Sequence, residues 1–268
     1  MKSIEKRLPA ALAIVALAMT LLYSCGSKKK DAETVEWKIE IGAQRLSYIA
    51  EVGKTMTVEW QRNDVIDVKD LKHGTVIGHV NPTATSTMKT VLCGFVEPGL
   101  AVGDSIDLNL PAGDLDYTGQ NGSILNIYSR YSYADGRFAV TEVDEAGHTI
   151  RTNDSIVALK QAVVAMRLLD AAGQPIPVDT LIISSANTNV LVKSGATPSS
   201  AKYGNLTVTN GNADKSSPIY VAIRNKRQDI PDTYTLLAKT RQGRYTASFE
   251  ANLLYGRAYS KIITMQKK

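Results

Sequence analysis

The feature that most constrains this chain is a period of two in its apolar residues. Val35-Glu36-Trp37-Lys38-Ile39-Glu40-Ile41 alternates apolar and charged side chains without a break. Met56, Val58 and Trp60 alternate with Thr57 and Glu59, and Ile106, Leu108 and Leu110 alternate with Asp107 and Asn109. Successive side chains of a strand point to opposite faces, so this pattern reads as strands with one face buried. Further strands are expected at Val65–Val68, Val91–Phe95, Arg137–Val140, Leu181–Ser184, Val190–Lys193, Leu206–Thr209, Ile219–Ile223, Tyr234–Lys239, Tyr245–Glu250 and Ala258–Met265.

Turn signals separate these strands: Pro98-Gly99, Asn121-Gly122, Asp135-Gly136, Ala172-Gly173, Asn210-Gly211 and Gln242-Gly243. Many short strands at near-regular spacing predict an all-β fold of sandwich type. Ser155 to Ala171 lacks Gly and Pro, and Ala162, Val163 and Met166 fit one helical face. A strand through Val164, Met166 and Leu168 is the preferred reading there, with a helix as the alternative. The chain turns polar from Ala146 to Asp154, which places a boundary between a sandwich over 34–154 and another over 155–268.

The N-terminus reads as an export signal over residues 1–24. Lys2, Lys6 and Arg7 precede an apolar run from Leu8 to Leu22, shorter than the ~20 residues a spanning helix needs. The run ends in Leu22-Tyr23-Ser24-Cys25-Gly26, which resembles a lipobox with Cys25 as the lipidation site and 25–33 as a lipidated tether. Acyl chains such as palmitate stabilise membrane attachment by ~0.8 kcal/mol per buried methylene.

The net charge of +5 comes from this end. Residues 1–24 contribute +2 and Lys28, Lys29 and Lys30 the other +3, so residues 31–268 are neutral. A neutral body has no electrostatic footprint for nucleic acid. With Cys25 acylated, Cys93 is a lone thiol in an apolar strand, expected as a small buried hydrophobe. Stability must then come from the core, for which 44% hydrophobic residues are ample.

Signals for catalysis or metal binding are weak, and neither cofactor nor metal is expected. His73 and His79 flank Gly74 and Gly78 and lack further zinc ligands. Asp114-Leu115-Asp116-Tyr117-Thr118-Gly119 begins like a calcium loop, but Thr118 replaces a ligand and Leu125 stands where a bidentate Glu is required. Nucleophile-elbow, zincin and phosphate-loop motifs are absent from the sequence. Trp37 and Trp60 sit on alternating strands and read as core.

Several segments taken together resemble the fimbrillin-like lipoproteins that build, cap or anchor type V pili. These are Trp60-Gln61-Arg62-Asn63-Asp64-Val65-Ile66, Gly94-Phe95 through Leu108-Asn109-Leu110-Pro111, and Tyr117 to Gly122. Ala165 to Gly173 leading into Leu181-Ile182-Ile183-Ser184 follows, then Gln242-Gly243-Arg244-Tyr245 and Gly256-Arg257-Ala258-Tyr259. The Gly that commonly precedes the Asp of the first motif is Asn63 here.

The resemblance implies two tandem transthyretin-like β-sandwiches and a non-enzymatic pilus subunit, exported to the outer membrane as a lipidated precursor. It also implies removal of an N-terminal segment by an arginine-specific protease, for which Arg45–Leu46 is the best-placed bond. Losing the first strand would expose a sheet edge that a neighbouring subunit's strand could fill, with Ala258–Met265 as the expected donor. The partners expected are other pilus subunits, the membrane and a surface ligand. The alternative is a stationary surface lipoprotein that keeps its lipid and binds a glycan or other ligand, with Tyr128, Tyr131 and Tyr133 as contact candidates.

Overall fold

The structure, a computed structural model, describes residues 35–50, 55–194 and 200–268. The alternation at the start becomes strand β1 (Trp37–Arg45), whose Ile39, Ile41 and Ala43 point into the core. Two short strands follow, β2 (Tyr48–Ala50) and β3 (Thr55–Met56), then a loop in which Val58 and Trp60 are buried without being in a strand. The chain continues through β4 (Ile66–Asp70), β5 (Thr75–Pro82), β6 (Lys89–Val96), β7 (Ser105–Leu110), helix α1 (Ile124–Arg130), β8 (Ala134–Asp144), β9 (Thr149–Thr152) and β10 (Ser155–Leu159).

Eight of these strands form one sheet in the order β10-β1-β6-β5-β4-β7-β8-β9. β9 and β10 lie end to end, separated by Asn153 and Asp154. β1 pairs in parallel with both, from Lys38↔Thr149 to Glu40↔Arg151 and from Ala43↔Ser155 to Arg45↔Val157. β8 pairs antiparallel with both. The sheet therefore closes into a barrel, which removes the exposed edges of an open sheet.

Closure requires close backbone approaches, and glycine supplies them. A Cβ on Gly94 of β6 would lie 2.0 Å from the His79 carbonyl oxygen, and one on Gly78 of β5 would lie 2.1 Å from that of Phe95. Gly136 has the same role in β8: a Cβ there would come within 2.5 Å of the Ile156 oxygen. Asp135-Gly136 is thus strand interior rather than the expected turn.

After Lys160 the chain enters a second pair of sheets. Its strands are β11 (Ala162–Leu169), β12 (Thr180–Ser185), β13 (Leu191–Lys193), β14 (Lys202–Tyr203), β15 (Leu206–Thr209), β16 (Ile219–Ile223), β17 (Asp232–Thr240), β18 (Gly243–Ala251), β19 (Arg257–Thr264) and β20 (Gln266–Lys267). One five-stranded sheet runs β16-β11-β19-β2-β3 and the other β15-β12-β17-β18-β20, with β13 and β14 as a separate pair. β2 and β3 thus leave the barrel region and join the C-terminal strands, Ile49 pairing with Arg257 and Ala50 with Ala258.

Ser155 to Ala171 is two strands, β10 and β11, and not a helix. β11 buries Ala162, Val163 and Val164 in succession, because it is an interior strand, antiparallel to β16 and parallel to β19, covered on both faces at this end. Both sheet systems contribute to one buried apolar cluster, from Ile39 and Trp60 to Leu236 and Met265. Cys93 is half-buried, facing outward from β6 beside Glu40 of β1. Among the described residues, no helix is long and apolar enough to cross a membrane.

The fold contains a helix that periodicity misses. Ser123 caps α1, its Oγ accepting the Asn126 N–H at 3.2 Å, and the helix buries only Ile127. With seven residues and a single inward side chain, it has no apolar stripe to read.

Candidate functional site

Cys25, the expected lipidation site, and the expected tether over 25–33 lie outside the described residues. The expected site therefore begins at the other end of the segment that maturation would remove. Arg45 is the last residue of β1 itself, and its side chain is 3% exposed. Its Nη1 donates to Asp64 Oδ2 at 3.0 Å and to the Glu59 carbonyl at 3.0 Å, while Nη2 donates to the Ser132 carbonyl at 2.8 Å. The guanidinium lies over Trp60, 5.3 Å from a ring centroid. Burial lowers the Arg45 pKa and raises that of Asp64, and in each case the partner's charge opposes the shift. Desolvation thus acts against both charges, and the contact persists because both Nη atoms have acceptors. The exception is Nε, which is buried without a partner.

Leu46 is 37% exposed, but its N–H donates to the Val157 carbonyl and that of Arg45 to the Met88 carbonyl. A protease that reads arginine in an extended segment could reach this bond only after the end of β1 opened. Upstream of it, β1 is held on one side by eight antiparallel residue pairs with β6, from Trp37↔Val96 to Gln44↔Lys89, and on the other by β9 and β10. Removing it would uncover backbone groups on both neighbours and the contacts of Ile39, Ile41 and Ala43.

The expected donor, Ala258–Met265, is built into the fold as β19. It lies between β11 and β2, paired in parallel with β11 from Val163↔Ala258 to Leu169↔Thr264. Tyr259 Oη donates to the Asn252 carbonyl and accepts the Leu254 N–H, and Met265 is fully buried. Donation by this segment requires it to leave that place.

Beside Arg45, the loop from Thr57 to Asp64 faces the end that carries α1 across a groove of about 720 Å³. Glu59, Gln61, Asn63 and Asp64 line one side, and Asn121, Ser123, Leu125, Asn126, Tyr128 and Ser129 the other. The loop is fixed in several ways: Trp60 is fully buried with its indole N–H on the Met88 carbonyl, the Trp60 N–H donates to Thr87, and Asn81 Nδ2 donates to the Asp64 carbonyl. Opposite it, Asn126 Oδ1 accepts the Asn121 N–H, and Asn121 Oδ1 accepts from both the N–H and Oγ of Ser123. The two walls lie about sixty positions apart: in sequence Tyr128 is a contact candidate, Gln61 to Asp64 fall in the family-like motif and Asn121-Gly122 is a turn signal, and no local pattern joins them.

The other sequence-level candidates resolve into structure. Tyr131 and Tyr133 are buried and pack with Tyr117, the Tyr117–Tyr133 pair edge-on at 4.9 Å. Their hydroxyls donate to the Thr118 and Asp116 carbonyls. They are unavailable to a surface ligand, and of the three tyrosines only Tyr128 lines the groove. Trp60 is core, whereas Trp37 is half-buried and contacts His148. His73 pairs with Asp70 and His79 with Asp67. Asp116 accepts the N–H and Oγ1 of Thr118 within its own turn and faces Lys193. Among the described residues, no cluster of His, Cys, Asp and Glu is arranged to hold a metal ion.

No protein-family model matches the chain, and no curated protein matches it. It is similar in structure to a candidate cell adhesion protein from Bacteroides ovatus, with 15% identity over 86% of this chain and 92% of the other, at a TM-score of 0.44. A candidate cell adhesion protein from Bacteroides uniformis is 10% identical over 86% and 93%, at 0.43. The major pilin of Streptococcus pyogenes is 8% identical over 86% and 99%, at 0.20. Likeness this distant carries no argument about activity.

Proposed function

We propose that this chain is a non-enzymatic, fimbrillin-like adhesion subunit of the cell surface, exported to the outer membrane as a precursor lipidated on Cys25. In this reading the barrel and the paired sheets derive from two transthyretin-like sandwiches over 34–154 and 155–268, with β10 and β2–β3 traded across the boundary. Cleavage at Arg45–Leu46 releases β1, and a strand from a neighbouring subunit takes its slot.

The observation that carries this reading is the position of β1. It is the first described strand, directly after the proposed tether, and it fills a slot bounded on both sides by backbone hydrogen bonds. Such a slot accepts any strand with the same alternation, because the ladder supplies affinity and the inward side chains set register. Head-to-tail filling of such slots builds an open filament.

The test is intact mass and N-terminal sequencing of protein recovered from native cell surfaces. An N-terminus at Leu46 without lipid, in higher assemblies, supports strand exchange. Lipid retained on Cys25, with no higher assembly, overturns it.

That second outcome corresponds to a reading with its own observation. Arg45 is buried and bound at three acceptors, which favours retention of β1 and a stationary, lipid-anchored protein that binds a surface ligand.

A further inference from the structure

We infer that the groove between the 57–64 loop and the α1 end is a binding site for a neutral glycan. The inference rests on the surface-adhesion reading and gives it a ligand chemistry. Both walls are built before any ligand arrives. Trp60 and Arg45 pin one, and the Ser123 cap with the Asn121–Asn126 hydrogen bond fixes the other. A ligand would therefore find its partners already ordered, which lowers the entropic cost of binding.

The chemistry of the walls selects the ligand. The lining contains two carboxylates, Glu59 and Asp64, and no Lys, Arg or His, so an anion meets repulsion without a counter-charge. Among the described residues, the side chains of Glu59 and Asn63 make no hydrogen bond, and Asp64 uses one carboxylate oxygen for Arg45 and the Gln61 N–H. Ionised carboxylates accept only, while side-chain amides both donate and accept. A ligand that offers many hydroxyls in fixed relation meets both demands, and a pyranose does so with adjacent hydroxyls. The half-buried Tyr128 and the 75%-exposed Leu125 add the apolar surface on which the C–H face of a sugar ring can rest. A cavity of about 720 Å³ is large enough for a short oligosaccharide.

Arg45 is a positioning residue here. It holds Asp64 and the Glu59 backbone from behind the wall, so the groove and the end of β1 share one contact.

The experiment uses the full chain in detergent on an array of neutral hexose and N-acetylhexosamine oligosaccharides, with sialylated and sulfated counterparts and unrelated peptides as competitors. Binding of neutral oligosaccharides is expected, followed by titration calorimetry on the best of them. Glu59→Gln with Asn63→Ala should weaken it about tenfold or more, the scale of one or two charge-assisted hydrogen bonds. Both residues are exposed, so thermal unfolding should not move. Tyr128→Ala provides an independent arm from the opposite wall and should weaken binding similarly. Binding that survives these variants places the ligand elsewhere and overturns the assignment, as does binding of acidic glycans or peptides alone, or no binding. The binding test uses the uncleaved chain, in which Arg45 is in place, and does not read assembly, so the site can fail while the pilus reading stands, and the reverse.

Discussion

Replacing Asp64 with alanine should cost this protein about 3–4 kcal/mol. The Arg45 guanidinium is 3% exposed and 3.0 Å from Asp64, which is itself 16% exposed. At an effective dielectric constant of ~20 the attraction at that distance is about 5–6 kcal/mol. Part of that is offset, because alanine no longer carries the desolvation cost that raises the Asp64 pKa. The Glu59 and Ser132 carbonyls also continue to accept from Arg45. What remains is a buried cation without its counter-ion, for which ~3–5 kcal/mol is typical.

With a urea dependence of ~2–3 kcal/mol per molar, the unfolding midpoint should fall by roughly 1–2 M at unchanged slope. The double variant Arg45→Met, Asp64→Ala removes both charges and leaves the methionine thioether against Trp60. Its cost should fall short of the sum of the single variants by at least ~2 kcal/mol. A cost below about 1 kcal/mol for Asp64→Ala, or strict additivity in the cycle, would refute the claim that this pair holds the end of β1.

Other parts of the fold make separate predictions. Gly94→Ala should destabilise by about 3 kcal/mol or more, since its Cβ meets a backbone oxygen at 2.0 Å, whereas Gly74→Ala, with open space at φ +71°, should cost only ~1 kcal/mol; parallel denaturation curves decide. Gln120→Ala should cost about 2–4 kcal/mol and speed amide exchange at Ala222, because the Gln120 amide accepts the Ala222 N–H at 2.7 Å and donates to its carbonyl at 2.9 Å, capping the β16 edge. Burial pushes the Tyr48 hydroxyl up to about 12, above the ~10 of an unfolded chain, so folding holds that proton. The associated stability is complete below pH ~10 and lost as pH rises toward 12, on the order of 2–3 kcal/mol. Stability measured from pH 8 to 11.5 should fall across that window and fall less in Tyr48→Phe; a flat profile contradicts the assignment.

How much was legible in the sequence follows from the range of each interaction. The alternation in Val35–Ile41 and Ile106–Leu110 is a local property, because side-chain direction reverses at every residue of a strand, and β1 and β7 run where it runs. Helix α1 escaped because one buried isoleucine in seven residues produces no periodic signal. β5 escaped because Gly78, needed for a close approach to β6, resembles a breaker when read alone.

The sequence by itself determined the all-β class, most strand positions and the neutral body, because each depends on neighbouring residues or on composition. Tertiary structure alone decided that β9 and β10 share one position beside β1, that β2 and β3 join the C-terminal sheet, and that Arg45 is a buried anchor. It also decided that Tyr131 and Tyr133 turn inward while Glu59 and Asn126 face one groove. These arrangements join residues from about ten to two hundred positions apart. Their partners are chosen by chain closure and by burial of one common core, and neither is written in any local pattern.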